Sequence, residues 1–207
     1  MSFSVFRKIS AAAIMAVLAA LLVAEPVAAQ FSNHYNYLRG VRNRSYEEVS
    51  EIIEQPGGAA IINARERATG LGALHIVTRD RDTQWLLYLL RHEADPNIRD
   101  NDGNTPLHIA AQIDFAEAVR WLLVVRADAN ARNSRGETPL ILAVQHRNPD
   151  IVRQLIDAGA NPEVADSVIG LSARDYAVRD GRSQHIIDIL DTAQPVAEQA
   201  PVVGPTP

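Results

Sequence analysis

Six histidines are the first residues of this chain that could do chemistry. Imidazole ligates metals and moves protons near neutral pH. His34, His92 and His185 have no partner at ligand spacing, and no H-E-x-x-H, His-x-His or carboxylate cluster occurs. There is no Cys, which removes disulfides, thiolate nucleophiles and Cys-ligated metals. No Gly-x-Ser-x-Gly presents a serine nucleophile, and no Gly-rich loop is built to cradle phosphate. Asp100-Asn101-Asp102-Gly103-Asn104 has the outline of a calcium loop. The twelfth position, where a bidentate Glu belongs, is Ala111, so a solvent-facing turn is the better reading. These residues indicate no enzyme, no cofactor and no metal site.

The framework that carries these residues is periodic. Asp100-Asn101-Asp102-Gly103-Asn104-Thr105-Pro106-Leu107-His108-Ile109-Ala110-Ala111 returns as Gly136-Glu137-Thr138-Pro139-Leu140-Ile141-Leu142-Ala143, 33 residues after Gly103 to Ala110. Gly72-Ala73-Leu74-His75 precedes it at the same interval, and Ser172-Ala173-Arg174-Asp175-Tyr176-Ala177 follows after one extra residue. A second string keeps the beat: Glu93-Ala94-Asp95-Pro96-Asn97, Arg126-Ala127-Asp128-Ala129-Asn130, then Gly159-Ala160-Asn161-Pro162. Self-similarity at this period marks a stacked repeat protein, in which each unit buries its apolar face only against its neighbours. Trp85, Leu86, Leu89 and Leu90 form the apolar stripe of one second helix; Val119, Leu122 and Leu123, then Val152, Leu155 and Ile156, hold the matching places.

The two strings resemble the ankyrin repeat, with its D-x-x-G-x-T-P-L-H-x-A-A opening and L-L-x-x-G-A-D-x-N ending, over about residues 66 to 193. The resemblance implies an all-α solenoid of helix-turn-helix units with short β-hairpin loops, and repeats at 66–99, 100–132, 133–165 and 166–193. It also implies that His75 and His108 are structural, tying adjacent loops together by hydrogen bonds. Thr105 and Thr138 suit helix N-caps, and Pro106 and Pro139 suit the first helical position. Gly70, Gly103, Gly136 and Gly170 suit a turn of positive φ. Two departures stand out. Glu93 and Arg126 replace the usual Gly after the second helix, and Arg81, Asp114 and Arg147 replace the one before it. A left-handed residue other than Gly costs roughly 1 kcal/mol, so the first two junctions are expected to be weaker than the third.

Outside the repeats, residues 1–29 read as an export signal. Arg7-Lys8 precede an uncharged run from Ile9 to Ala24, and Val27-Ala28-Ala29 offers small residues for cleavage before Gln30. The expected location is periplasmic or secreted, as for an exported bacterial protein. The competing reading is an uncleaved anchor that tethers a scaffold to the membrane, although the run is shorter than the ~20 residues that span a bilayer. Residues 30–65 read as a divergent amino-terminal cap of two short helices, with Ser45 capping Glu48. There Phe31, Tyr35, Tyr37 and Tyr46 either cover the end of the core or form a contact patch. Residues 194–207 read as a disordered Pro-rich tail, or alternatively as a recognition peptide.

Net charge is −5. Without residues 1–29, 20 basic and 25 acidic residues become 18 and 24, a net of −6, which leaves no basic excess for nucleic acid. The partner is therefore expected to be a protein, bound by a monomer. By the resemblance, partners meet the hairpin tips and the exposed side of the first helices along a concave face. The matching residues are Thr69, Leu71, Arg79 and Asp80; Asn101, Asp102, Asn104, Gln112 and Ile113; Ser134, Arg135, Glu137, Gln145 and His146; and Ile169, Leu171, Arg179 and Asp180.

Overall fold

The computed structural model describes residues 27 to 181 and 183 to 192. The cap region holds α1 (Val27–Asn43), α2 (Tyr46–Glu54) and the single turn α3 (Gly58–Ile61). Four helix pairs follow. They are α4 (Ala73–Arg79) with α5 (Thr83–Arg91), α6 (Pro106–Gln112) with α7 (Ala116–Val124), α8 (Pro139–Gln145) with α9 (Pro149–Asp157), and α10 (Ala173–Asp180) with α11 (Gln184–Thr192). First helices pack on first helices in the order α1, α4, α6, α8, α10, and second helices form their own row from α5 to α11. Among the described residues no strand forms; single antiparallel bridges, Arg65 to Gly72 and Ala165 to Ser172, close two of the hairpin loops. The chain is thus an all-α repeat solenoid. The expected signal lies outside the described residues except for Val27 to Ala29, which open α1, and the expected tail lies outside them entirely.

The row of first helices can be close because its contact residues are small: Ala73, Ala110, Ala111, Ala143, Ala173 and Ala177 are all buried. Larger side chains fill the space toward the second helices, among them Leu86, Leu89, Leu122 and Leu155, each solvent-free. Full burial of such a side chain contributes about 1.5–3 kcal/mol. The apolar face of each repeat is covered by its neighbours, so the stack and not the single repeat is the stable entity.

The cap departs from the expected two short helices, since α1 runs for 17 residues. No Pro interrupts it, and Tyr37, Leu38 and Val41 recur at helical spacing and are buried. Glu48 N donates to Ser45 Oγ at 3.4 Å, so α2 starts where its cap places it. The tyrosines part ways. Tyr37 is in the core and donates to Ile62 O at 3.0 Å, while Tyr46 stacks on Trp85 with ring centroids 4.2 Å apart. Tyr35 is 66% exposed.

The other end closes by substitution. Arg174 stands where the inner repeats have Leu74, Leu107 and Leu140, and it pairs with Glu163 at 2.7 Å and with Asp191. Asp175 stands in the histidine position and accepts from Ser172 N at 2.9 Å. A terminal unit needs a polar outer face, and these two exchanges supply it.

The elbows are strained. Between the two helices of a unit lie Arg44, Arg81, Asp114 and Arg147 with φ of 59°, 57°, 56° and 55°; after the second helix lie Glu93 and Arg126 at 63° and 64°. The first group has a compensation, because each side chain reaches the next unit. Arg44 pairs with Asp80 and Asp82 at 2.7 Å. Arg81 donates to Ile113 O and to Asp114 O, the latter at 3.1 Å, and lies over the Phe115 ring. Arg147 holds Asp180, with Nε to Oδ2 at 3.0 Å. Glu93 and Arg126 have no such side-chain partner among the described residues. Glu93→Gly and Arg126→Gly are therefore expected to raise unfolding free energy by about 1 kcal/mol each in urea titrations, and Arg81→Gly to give no gain. A gain of the same size for Arg81→Gly would show that its bridge contributes nothing.

Candidate functional site

The face to be tested is made of hairpin tips and of the exposed flank of the first-helix row. The tips are set by backbone contacts from one unit to the next. Asn101 N donates to Thr69 O at 3.0 Å, Ser134 N to Asp102 O at 2.8 Å, and Ser167 N to Arg135 O at 2.8 Å. Such approach needs glycine: a Cβ on Gly70 would lie 2.5 Å from Asn101 N, and one on Gly136 would lie 2.3 Å from Ser167 Oγ. Both also have positive φ.

Behind the tips lie the two solvent-free histidines. His75 Nδ1 accepts from Gly72 N at 3.1 Å, and Nε2 donates to Asn104 O of the next unit at 3.0 Å. His108 repeats this with Thr105 N and Glu137 O, both at 3.1 Å. A backbone N–H on Nδ1 requires that nitrogen to be unprotonated, so both rings are neutral and Nε2 carries the hydrogen. Burial pushes the His108 imidazole down to about 4 and lowers His75 as well. These are structural ties rather than catalytic groups, and no metal-binding group of three gathers among the described residues. The calcium-like loop is also accounted for: Asp100 Oδ1 takes the amides of Asp102 and Asn104 at 3.0 and 2.8 Å.

The structure sorts the sequence-derived surface residues. Thr69, Arg79, Asp80, Asn101, Asp102, Gln112, Ser134, Arg135, Gln145, His146, Ile169 and Arg179 are exposed; Leu71, Asn104, Ile113, Leu171 and Asp180 are half-buried. Glu137 needs correction as a surface contact. It is 8% exposed, and its Oε2 accepts from Asn133 Nδ2 and Arg135 Nε, each at 2.9 Å. Arg135 is correspondingly part of the hairpin. Asn104 is also engaged, with its carbonyl on His75 and its Oδ1 accepting from Asn133 Nδ2 at 3.0 Å.

Equivalent positions at the ends of the first helices form one row: Arg42, Arg79, Gln112, Gln145 and Arg179, all exposed. Arg42 was missed in the sequence because α1 carries no T-P-L-H string to reveal its register. Each end of the row borders a cleft. One, of about 330 Å³, is lined by Tyr35, Leu38, Arg42, Arg65 and Arg67 among others. The other, of about 340 Å³, is lined by Val144, Gln145, Tyr176, Arg179 and Asp180. Tyr176 was also missed, since Ile or Leu holds its place in the other repeats and gives no sign of a surface role. Its hydroxyl donates to Asp166 Oδ2 at 2.9 Å.

A solenoid whose outward chemistry is a row of side chains on stacked helices, with its two buried histidines spent on structure, is of the class of repeat binding modules. The family model described as "Ankyrin repeats (3 copies)" matches residues 39–133, 74–166 and 114–195, and the chain belongs to the ankyrin repeat family. That family's repeats mediate protein–protein interaction and are not typically catalytic. The chain is 42% identical over 69 residues, 33% of its length, to Regulatory protein NPR6 of Arabidopsis thaliana. It is 29% identical over 109 residues, 52% of its length, to Oxysterol-binding protein homolog 1 of Saccharomyces cerevisiae. It is 42% identical over 66 residues, 32% of its length, to Neurogenic locus notch homolog protein 1 of Homo sapiens. The matches span only 14%, 9% and 2% of those proteins.

Two outcomes follow from this geometry. His108 has a lower pKa folded than its ordinary 6.5, so the unfolded chain binds its proton first. The His108 share of stability is therefore complete above about pH 7 and is lost, about 3 kcal/mol of it, as pH drops from 6.5 to 4, with His75 adding in the same direction, measured by denaturation at each pH. His108→Ile, which copies Ile141, should flatten that fall; an unchanged slope would remove His108 as its cause. Second, Arg135→Ala should cost about 1 kcal/mol by leaving the Glu137 carboxylate with Asn133 alone and no cation, whereas Arg79→Ala and Arg179→Ala should stay within about 0.5 kcal/mol of the native chain.

Proposed function

We propose that this chain is an exported binding module that holds a protein of the cell envelope on the face lined by its hairpin tips and first-helix row. The observation that carries the reading is the exposed row from Arg42 to Arg179. Its side chains are exposed, Arg42 among them although it pairs with Glu66 at 3.1 Å, whereas His75, His108, Asp100, Asn104 and Glu137 are consumed by the stack. Arg79 is of a type enriched at binding hot spots, and the half-buried Leu71 and Ile113 supply apolar contact beside it. Binding then needs no chemistry from the chain, only shape and charge complementarity, and would serve to chaperone, inhibit or localise the partner.

Export rests on residues 1–29, with cleavage before Gln30 and a periplasmic or secreted product. Among the described residues no helix is long and apolar enough to cross a membrane. A retained leader would instead make a membrane-tethered scaffold with the same face.

The test joins both parts. The full chain is expressed in a bacterial host, its amino-terminal residue is determined, and partners are trapped by crosslinking in envelope fractions. The expected product begins at Gln30. One envelope protein should be recovered with it and lost from a Leu71→Ala, Ile113→Ala, Arg79→Ala variant of native stability. Equal recovery by that variant would contradict the face; a product beginning at Met1 would favour the tether.

A further inference from the structure

We infer that the partner presents an extended segment of about eleven residues, acidic at both ends and neutral in the middle. This inference rests on the binding reading above and names the chemistry of what is bound. The order along the row is Arg42, Arg79, Gln112, Gln145, Arg179: cations at the two ends, amides between them. The aspartates beside the row are shared with the elbow arginines: Arg44 takes both Asp80 and Asp82, so the excess of cations at the first end comes from Arg65 and Arg67, and at the other end Arg147 and Arg179 face Asp180. Asp80 is 2.7 Å from Arg44, and its nearest approach to Arg79 is 4.0 Å. Asp180 is held by Arg147. The Arg79 side chain remains 53% exposed, and Arg179 is exposed at the rim of its cleft.

At the first end Arg42, Arg65 and Arg67 share a cleft with one carboxylate, Glu66, and with the apolar Tyr35 and Leu38. The Thr69 hydroxyl and the Arg42 guanidinium hold the Glu66 carboxyl below its ordinary range, so it stays ionised, and positive charge still exceeds negative there. The chain as a whole is acidic, at −5, whereas the row itself holds Arg42, Arg79 and Arg179 and no carboxylate. Acidic side chains crowd α2 instead, as Glu47, Glu48, Glu51 and Glu54 on a second helix. A segment with carboxylates is drawn to the row and repelled from the opposite side.

Length follows from packing. Helices stack about 9 Å apart, so four steps from Arg42 to Arg179 cover about 36 Å. An extended chain rises about 3.3 Å per residue, and about eleven residues cross that distance. Gln112 and Gln145 each offer a donor and an acceptor to the backbone of the neutral middle.

The experiment uses the full chain, immobilised, against a random twelve-residue peptide library, with a single-stranded oligonucleotide as a second probe. Enriched peptides should carry Asp or Glu within the first three and last three positions, with no charge preference between. Their affinity should fall about tenfold on Arg79→Glu or Arg179→Glu, recover with Arg→Lys at the same positions, and weaken as salt rises. Enriched peptides without end carboxylates would overturn the acidic segment and leave the binding face intact. Arg-dependent binding of the oligonucleotide with no enriched peptide would overturn it in favour of another polyanion. If no peptide is enriched and the face variant recovers the same envelope protein as the native chain, both readings fall.

Discussion

Everything in this fold depends on one unit meeting the polar groups left open by the unit before it. Thr69, Asp102 and Arg135 each offer a carbonyl that only the following hairpin reaches. The amides of Asp95, Asp128 and Asn161 are taken by Asn63, Asn97 and Asn130 of the preceding unit, at 2.7 to 2.8 Å. Arg65, Arg99 and Arg132 repeat the arrangement in the other direction, donating to the carbonyls of Arg99, Arg132 and Ala165. Each such bond contributes on the order of 0.5–1.5 kcal/mol net, and the set repeats at every junction. Apolar burial holds the helices together, but it tolerates sliding; these bonds fix the register.

Register turns a set of equivalent positions into a surface. With the units fixed, side chains at 33-residue intervals become neighbours, although none is near another in the chain. The same logic places strain. A left-handed elbow would be easiest for Gly, yet Arg44, Arg81 and Arg147 use their long side chains to grip the next unit, which Gly cannot do. Where no grip is made, at Glu93 and Arg126, the strain has no visible return. The histidines follow the same rule: an ionisable group becomes part of the register once both ring nitrogens are occupied and solvent is gone.

Much of this was legible in the residues. T-P-L-H and its recurrence place the helix starts, the glycine turns and the two buried histidines, because each position has a local physical demand that few residue types meet. The left-handed elbows were legible as departures from Gly, but not what they grip, since that partner lies about a whole repeat away. The cap was harder. α1 has neither the Pro nor the Thr that announces a first helix, so Arg42 stayed out of the row and its length was underestimated. Glu137 was misplaced for a different reason. Its position is a hairpin tip, where charge normally faces water, and only the pairing with Asn133 and Arg135 turns it inward.

The central claim is that the tips and the first-helix row form the working face. Hydrogen–deuterium exchange of the full chain, alone and saturated with the protein it captures, tests that claim most directly. The account predicts slowed exchange in the hairpin segments 65–72, 99–105 and 132–138 and at the ends of α4, α6 and α8, with α5, α7 and α9 unchanged. Protection confined to the second helices, or to the residues beyond Thr192, would contradict it.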